Sequence, residues 1–133
     1  YDHTRSVKER LKLLNKITKR KYWIVEGAWT SYAIPVYQRA ELIIFLNISR
    51  FKLYYRVIAR HFKRKISKAK NYNDNFGSTF KMLKKINVYF NNPSNYLSLG
   101  KHQEYLALYS HKVIILRNNK EINKFLEEMR NES

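Results

Sequence analysis

The sequence predicts an α/β fold in which helices cover a parallel sheet. Three short runs, residues 22–26, 42–46 and 112–116, are rich in β-branched and aromatic side chains. Segments with helical spacing separate these runs, a pattern typical of a parallel sheet buried on both faces. No repeat, low-complexity tract or linker interrupts the chain, so residues 1–133 are expected to form a single domain.

The helical segments are recognised by apolar residues that recur every three or four positions. Residues 5–19 form the first, and Ser6 and Glu9 have the spacing of a capping box at its start. A loop at 28–32 is expected to lead into a short segment broken at Pro35, and residues 71–78 form the clearest turn cluster. Further helices are predicted at residues 49–68, 79–90, 95–109 and 120–129.

The predicted helix at 49–68 has two distinct faces. One is an apolar stripe that is expected to pack in the core, and it consists of Phe51, Tyr55, Ile58, Phe62 and Ile66. Arg56, Arg60 and Arg64 lie together on the opposite side. Because the stripe is expected to be buried, a membrane is the least favoured of the polyanionic partners of this helix.

The net charge of the chain is strongly positive and unevenly distributed. The 133 residues include 27 Lys and Arg against 10 Asp and Glu, a formal charge of +17. Thirteen of the basic residues lie between positions 42 and 103, where Asp74 is the one acid. Such a field attracts polyanions, whether the phosphates of a nucleotide, a nucleic acid or an anionic membrane.

Several classes of site are excluded by residues that the sequence lacks. Without cysteine the chain forms no disulfide, thiolate zinc site or cysteine nucleophile. The four histidines show no H-x-x-x-H spacing, so no metal site is predicted, and neither a G-x-x-x-x-G-K-[ST] nor a G-x-G-x-x-G loop is present. No apolar run is long enough to span a bilayer and no signal peptide is recognised, so a cytoplasmic location is expected.

Candidate ligand-binding residues lie where the predicted strands end, because open α/β sheets bind ligands beyond the carboxyl ends of their strands. Glu26 could accept a hydrogen bond from a ligand while Gly27 lets the backbone approach it, although the pair could simply end a strand. The other strand ends are residues 47–50 and 117–119.

The arginine row offers a second candidate. Arg56, Arg60 and Arg64, with Arg50 at the helix start, could grip phosphates through their guanidinium groups, although a row of charges is more often a solvated helix face. The region around residues 50–70 could alternatively bind nucleic acid, with bases stacked on the aromatic neighbours Tyr54, Tyr55, Tyr72 and Phe76.

Four blocks of the sequence resemble the adenylate-kinase-like P-loop proteins known as DNA topology modulation proteins. They are WIVEGAWT at 23–30, AELIIFLN at 40–47, SR and YRVIAR within 49–60, and KVIILRNNKEI at 112–122. The blocks follow the family's order with compatible distances over residues 21–126. Asn47 departs from the pattern, since related sequences tend to carry Asp there.

The resemblance implies a P-loop nucleotide-kinase-like fold whose first strand and phosphate loop would precede this chain. In that family the phosphate-loop strand lies between the strands that match residues 22–26 and 42–46. The implied activity is phosphoryl transfer from ATP, with Mg²⁺, to a small nucleotide-like acceptor, and residues 49–92 would be a basic, lid-like helical region.

By position in the family, each candidate residue has an implied role. Glu26 and Gly27 match the acidic-Gly pair at the acceptor side of the cleft, and Arg5 would contact the acceptor phosphate. Arg50, at the start of the predicted helix, is a further candidate for binding substrate phosphate. Arg56, Arg60 and, less closely, Arg64 match the lid arginines that hold the transferring phosphate, and the loop of Arg117 and Asn118 matches the one that holds adenine.

The absent phosphate loop leaves open whether the chain is an enzyme by itself. The alternatives are a basic module that binds nucleic acid and a subunit of a larger assembly, and an oligomer is also compatible with the sequence. Without the additional strand, the two central apolar strands are expected to expose their edges, pair directly, or borrow a strand from a partner.

Overall fold

A computed structural model describes residues 6–28, 33–66 and 76–132 of the chain. The helices and strands follow one another in this order: α1 (Val7–Ile17), α2 (Ile34–Arg39), β1 (Ile43–Leu46), α3 (Arg50–Ile66), α4 (Phe76–Asn91), α5 (Leu99–Leu108), β2 (Val113–Leu116) and α6 (Asn119–Asn131). A short 3₁₀ helix at Ser110–Lys112 leads into β2. None of the described helices is long and apolar enough to cross a membrane.

The two strands form a small parallel sheet. Ile43 lies opposite Val113 and Leu46 lies opposite Leu116, so the strands are in register along their whole length. Beyond them, the backbone N–H of Asn47 donates to the carbonyl oxygen of Leu116 at 2.9 Å. Parallel strands need a long crossover connection, which α3, α4 and α5 provide. The prediction of an α/β fold with a parallel sheet is therefore confirmed.

The third predicted strand, residues 22–26, is not a strand, so that part of the prediction is wrong. Trp23 and Val25 pack against the core, whereas Ile24 between them is 97% exposed. A strand requires a neighbouring backbone to complete its hydrogen bonds, and none of the described backbone hydrogen bonds joins this segment to β1 or β2.

The sheet is also covered less completely than the sequence predicted. Ile43 and Phe45 of β1 pack against the core, but Ile44 and Leu46 on the other face are exposed. A continuous apolar run predicts two buried faces. Here helices leave the second face of β1 partly open, so burial on both faces is contradicted.

The core is built around an aromatic stack. The ring of Tyr37 stacks against those of both Tyr105 and Tyr109, with centroid distances of 5.8 Å to each and nearly parallel planes. The buried cluster joins α1, α2 and α5 through Leu14, Ala33, Val36, Tyr37 and Leu106. The ammonium of Lys112 donates to the carbonyl oxygens of Gln38 and Ala40 at the end of α2, which satisfies acceptors that the helix leaves open.

The first helix begins as the sequence predicts. The hydroxyl of Ser6 accepts from the backbone N–H of Glu9 at 3.3 Å, and the Glu9 carboxylate accepts from the backbone N–H of Ser6 at 2.7 Å. This capping box satisfies donors that would otherwise lack partners. Pro35, by contrast, does not break a segment but lies in the first turn of α2, where its missing N–H is not needed.

The helices α3 and α4 pack as an antiparallel pair held by polar contacts. The guanidinium of Arg50 donates to Asn91 at 3.1 Å, and near the opposite end the hydroxyl of Thr79 lies 3.0 Å from Nδ1 of His61. Neither helix contains a buried residue. The turn predicted at 71–78 is wrong for residues 76–78, because α4 begins at Phe76. Residues 71–75 of that prediction lie outside the described part of the chain.

The apolar stripe of α3 does not face the core, so its predicted burial is wrong. Phe51 is 74% exposed and Ile66 is 81% exposed, and the three stripe residues between them are exposed as well. Helical periodicity shows that one face is apolar but does not show what covers it. In this structure α4 packs against a neighbouring face of the helix, which includes Tyr54 and His61.

Replacing Tyr37 with alanine is expected to destabilise the chain severely. The change removes the ring that takes part in both stacking contacts and leaves a cavity in a small core, so we expect a loss of about 3 kcal/mol in the free energy of unfolding. Urea denaturation measures it. The matched control is Tyr22→Ala on an exposed ring, which should change the free energy by less than about 0.5 kcal/mol. Equal effects of the two changes would contradict the described core.

Stability is expected to fall at high pH because of Tyr89. Its hydroxyl lies 3.0 Å from Nδ1 of the buried His102, and burial raises the pKa of Tyr89 from 10 to about 12. The folded state favours the neutral phenol of Tyr89. The stability that results is fully present below the pKa of Tyr89 in the unfolded chain, and it is lost as the pH rises through the pKa of Tyr89 in the folded chain.

The test compares the wild type with Tyr89→Phe. Between pH 10 and 12 the free energy of unfolding should fall further in the wild type than in the variant. The difference between the two losses should be on the order of 1 kcal/mol. Tyr96→Phe, on an exposed ring, controls for removal of a hydroxyl. Identical slopes for wild type and Tyr89→Phe would show that Tyr89 is not held neutral by the fold.

Candidate functional site

The carboxyl ends of β1 and β2 lie at the same edge of the sheet because the strands are parallel. From this edge the chain passes through the buried Ile48 into α3, and through Arg117 and Asn118 into α6. Two helices therefore begin at one edge, and the N-terminal ends of helices carry partial positive charge. The sequence predicted a ligand site at this edge, and the structure brings together two of the three predicted strand ends.

The loop between β2 and α6 is a closed helix cap. The side-chain oxygen of Asn118 accepts from the backbone N–H of Glu121 at 3.0 Å, and its amide nitrogen donates to the Glu121 carboxylate at 2.5 Å. The same carboxylate accepts from the backbone N–H of Arg117 at 2.7 Å. Both polar groups of the Asn118 side chain are thus engaged, whereas the side chain of Arg117 is exposed.

Arg56 links the two helices that begin at the edge. Its guanidinium donates to the side-chain oxygen of Asn119, the first residue of α6, at 2.9 Å. This contact places the exposed guanidinium of Arg56 beside the loop of Arg117 and Asn118. Arg56 and Asn119 are 63 positions apart in the sequence. A guanidinium retains further donors after one hydrogen bond, so Arg56 can still bind an anion.

The other predicted arginines are placed differently. Arg50 turns toward α4, donates to Asn91 and lies over the ring of Phe51, 5.3 Å from its centroid. Arg60 is exposed one turn beyond Arg56, and within the described ranges it has no hydrogen-bond partner. Arg64 is half-buried farther along the same helix. Of this row, Arg56 contacts the edge, through Asn119.

The acceptor-side residues are not joined to this site. Glu26 is exposed, and no hydrogen bond or ion pair among the described residues connects it to Arg56 or Arg117. Gly27 has a φ of 155°, which side chains rarely adopt, so its predicted role in turning the chain fits the backbone. Arg5 lies outside the described residues.

Sequence reasoning placed Asn119 at a strand end but missed its contact with Arg56, and it missed Glu121. Asn118 and Glu121 have the three-residue spacing of a capping box before an amphipathic helix. The sequence therefore contains the signal that predicts this helix cap. No local signal pairs Arg56 with Asn119, because that contact depends on how two helices pack.

The electrostatics of the site favour anions. The seventeen residues of α3 include seven Lys and Arg and no acid. Glu121 is the acid at the edge, and its carboxylate is engaged by the cap. In the described part of the chain, no group of three or more His, Asp or Glu residues could hold a metal ion.

A scan against protein-family models and searches of curated proteins and solved structures found no match to this chain. The likeness to adenylate-kinase-like proteins therefore remains an expectation from the four sequence blocks.

Asn118→Ala tests whether that residue is primarily a helix cap. Removing the side chain leaves the first turn of α6 with an unpaired donor, so we expect the free energy of unfolding to fall by about 1 kcal/mol. Asn118→Asp should retain most of the stability, since aspartate is also a good N-cap. Thermal unfolding of both variants measures the difference. No loss in the alanine variant would contradict the cap.

Proposed function

We propose that this chain provides part of a nucleotide-kinase-like phosphotransferase site at the carboxyl edge of the sheet. The nucleotide would be ATP, and the acceptor a small nucleotide-like molecule. The observation that carries the proposal is the contact of Arg56 with Asn119 where two parallel strands end and two helices begin. Guanidinium groups and helix N-termini are the groups that bind phosphates at such edges.

The chemistry of phosphoryl transfer suits this set of residues. The transferring group carries negative charge on its equatorial oxygens, and catalysis depends on fixed positive charge around them. Arg56 and Arg60 would supply that charge, with Arg64 more distant on α3. Arg50 donates to Asn91 through one nitrogen and keeps further donors with which it could bind substrate phosphate.

Adenine would be held by the loop after β2. Because the cap occupies both polar groups of the Asn118 side chain, this residue would contact the base through its backbone. Arg117 would contribute its exposed side chain, which can lie flat against an aromatic base. Glu26 would orient the acceptor and Arg5 would contact acceptor phosphate, as the family resemblance implies.

Two components of the proposed site are not among these residues. A phosphate loop is absent from the sequence, so catalysis requires that additional chain supply one. Mg²⁺ would be bound mainly by the phosphates and water, as is common for nucleotide sites, because the carboxylate at the edge is engaged.

The two-stranded sheet is compatible with such an addition. Within the described ranges β1 pairs only with β2, and a sheet of two strands is marginal on its own. Residues 22–26 already pack on the same core as β1 through Trp23 and Val25. A strand inserted between them would supply a backbone partner for residues 22–26 and for the open edge of β1.

Nucleotide titrations test the binding half of the proposal. The chain should bind ATP more tightly than the other nucleoside triphosphates, and Arg56→Gln should weaken ATP binding by about tenfold. Arg20→Gln, which removes an exposed arginine outside the edge, is the charge-matched control and should have little effect.

A different outcome would favour the competing function. If all triphosphates bind alike, and nucleic acid binds far more tightly with an affinity that falls steeply as salt rises, the chain is a nucleic-acid-binding module. The N-terminal sequence and intact mass of the protein from its natural host would show whether additional chain carries a G-x-x-x-x-G-K-[ST] loop.

Catalysis is tested in a protein that contains a phosphate loop. There Arg60→Ala is expected to lower kcat by at least about tenfold, because the guanidinium stabilises charge that develops during transfer. Steady-state kinetics with saturating ATP measure the change. Unchanged turnover would show that Arg60 does not act on the transferring phosphate.

A further inference from the structure

The most conspicuous unexplained surface is the exposed apolar stripe of α3, which consists of Phe51, Tyr55, Ile58, Phe62 and Ile66. The stripe spans four turns, roughly 22 Å along the helix axis at 1.5 Å per residue. Phe76 and Phe80 at the start of α4 add two more exposed rings to the same helical hairpin. Exposed apolar surface of this extent marks an interaction site.

Basic residues surround the stripe. On the helical wheel Lys65 lies on one side of it and Lys63 on the other, with Arg56 and Arg60 beyond Lys63. Neither α3 nor α4 contains an acid, whereas together they carry ten Lys and Arg. The occupant of the stripe must therefore be apolar where it meets the rings and anionic immediately beside them.

We propose that the α3–α4 hairpin binds the surface of an anionic membrane, with the stripe of α3 inserted at the boundary between headgroups and acyl chains. A helix with a strong apolar face, a Lys- and Arg-rich polar face and low overall hydrophobicity is typical of helices that lie in the membrane interface. Anionic headgroups supply the charge that the flanking lysines and arginines require.

The composition of the stripe favours lipid over nucleic acid. Nucleic-acid platforms stack bases on aromatic rings and place cations along the phosphate backbone. Ile58 and Ile66 offer neither stacking nor hydrogen bonds, yet they continue the stripe and are exposed, Ile66 strongly. The face also lies on the outside of a helical hairpin rather than in a groove that would follow a strand. Burial in acyl chains stabilises all five side chains.

Vesicle binding tests the proposal directly. The chain is mixed with vesicles of equal parts phosphatidylcholine and phosphatidylserine, or of phosphatidylcholine alone, and bound protein is measured by sedimentation. We expect binding to the anionic vesicles and little to the neutral ones. The double change Phe51→Ser with Ile66→Ser should weaken binding by about tenfold or more. The control pair, Tyr22→Ser with Ile24→Ser, removes equally exposed apolar groups outside the stripe and should have little effect.

A second pair of variants separates the electrostatic part. Lys63→Gln with Lys65→Gln should weaken binding to anionic vesicles by about tenfold. Lys8→Gln with Lys12→Gln on α1 is the charge-matched control and should have a smaller effect. Far-ultraviolet circular dichroism of all variants identifies any that fail to fold.

The absence of cysteine allows a measurement that does not depend on weakened binding. A fluorophore sensitive to polarity is attached to Tyr55→Cys in the stripe or to Leu108→Cys, an exposed position on α5. Its emission should shift to the blue on anionic vesicles at position 55 and not at position 108. Equal shifts, or none, would show that the stripe does not enter the membrane.

Two further outcomes would overturn the proposal. The first is tighter binding of the chain to single-stranded oligonucleotide than to anionic vesicles, with the serine pair weakening oligonucleotide binding. The second is a concentration-dependent dimer, measured without vesicles, that the serine pair abolishes while vesicle binding is unaffected. The proposed function is judged by selectivity among nucleoside triphosphates, which is measured without vesicles, so this inference and the proposed function can fail separately.

Discussion

The described core depends on one aromatic cluster, in which Tyr37 stacks against both Tyr105 and Tyr109. Few side chains in the described ranges are buried, and Tyr37 is one of the five that form the buried core cluster. The aromatic cluster holds α2 against α5, and Lys112 adds to it by lying over the ring of Tyr109 while it caps α2. β2 follows directly after Lys112, so these contacts lie next to the start of the sheet.

The α3–α4 hairpin is stabilised in a different way. Its two helices contain no buried residue, and side-chain hydrogen bonds such as Arg50 to Asn91 align them. Exposed polar contacts contribute less than burial of apolar surface, since water competes for them. The hairpin is thus the part of the described structure that has most to gain from a partner, and its helix α3 carries seven Lys and Arg and no acid.

Local patterns in the sequence predicted individual elements well but not the contacts between them. The Ser6 and Glu9 cap, the β1 and β2 strands and the approximate extents of α1, α3, α4, α5 and α6 depend on short-range chemistry, and the structure agrees with them. The segment that was predicted to be broken at Pro35 is instead the helix α2. Residues 22–26 have the composition of a strand, but a strand also requires a neighbouring backbone, which composition does not reveal. The same holds for the candidate site. Its position at the edge of the sheet was predictable from the strands, whereas the contact of Arg56 with Asn119 depends on how two helices pack and was not.

The two proposals use different faces of α3 and are therefore mutually compatible. On the helical wheel Arg56 lies about a third of a turn from the centre of the apolar stripe, and its guanidinium points to Asn119 at the edge of the sheet. A membrane bound by the stripe would leave that edge open to a nucleotide. The shared basic residues would still couple the two ligands weakly, because each anionic partner reduces the positive field that attracts the other. Nucleotide affinity should then be slightly lower on anionic vesicles than in free solution, and the difference should shrink as salt screens the charges.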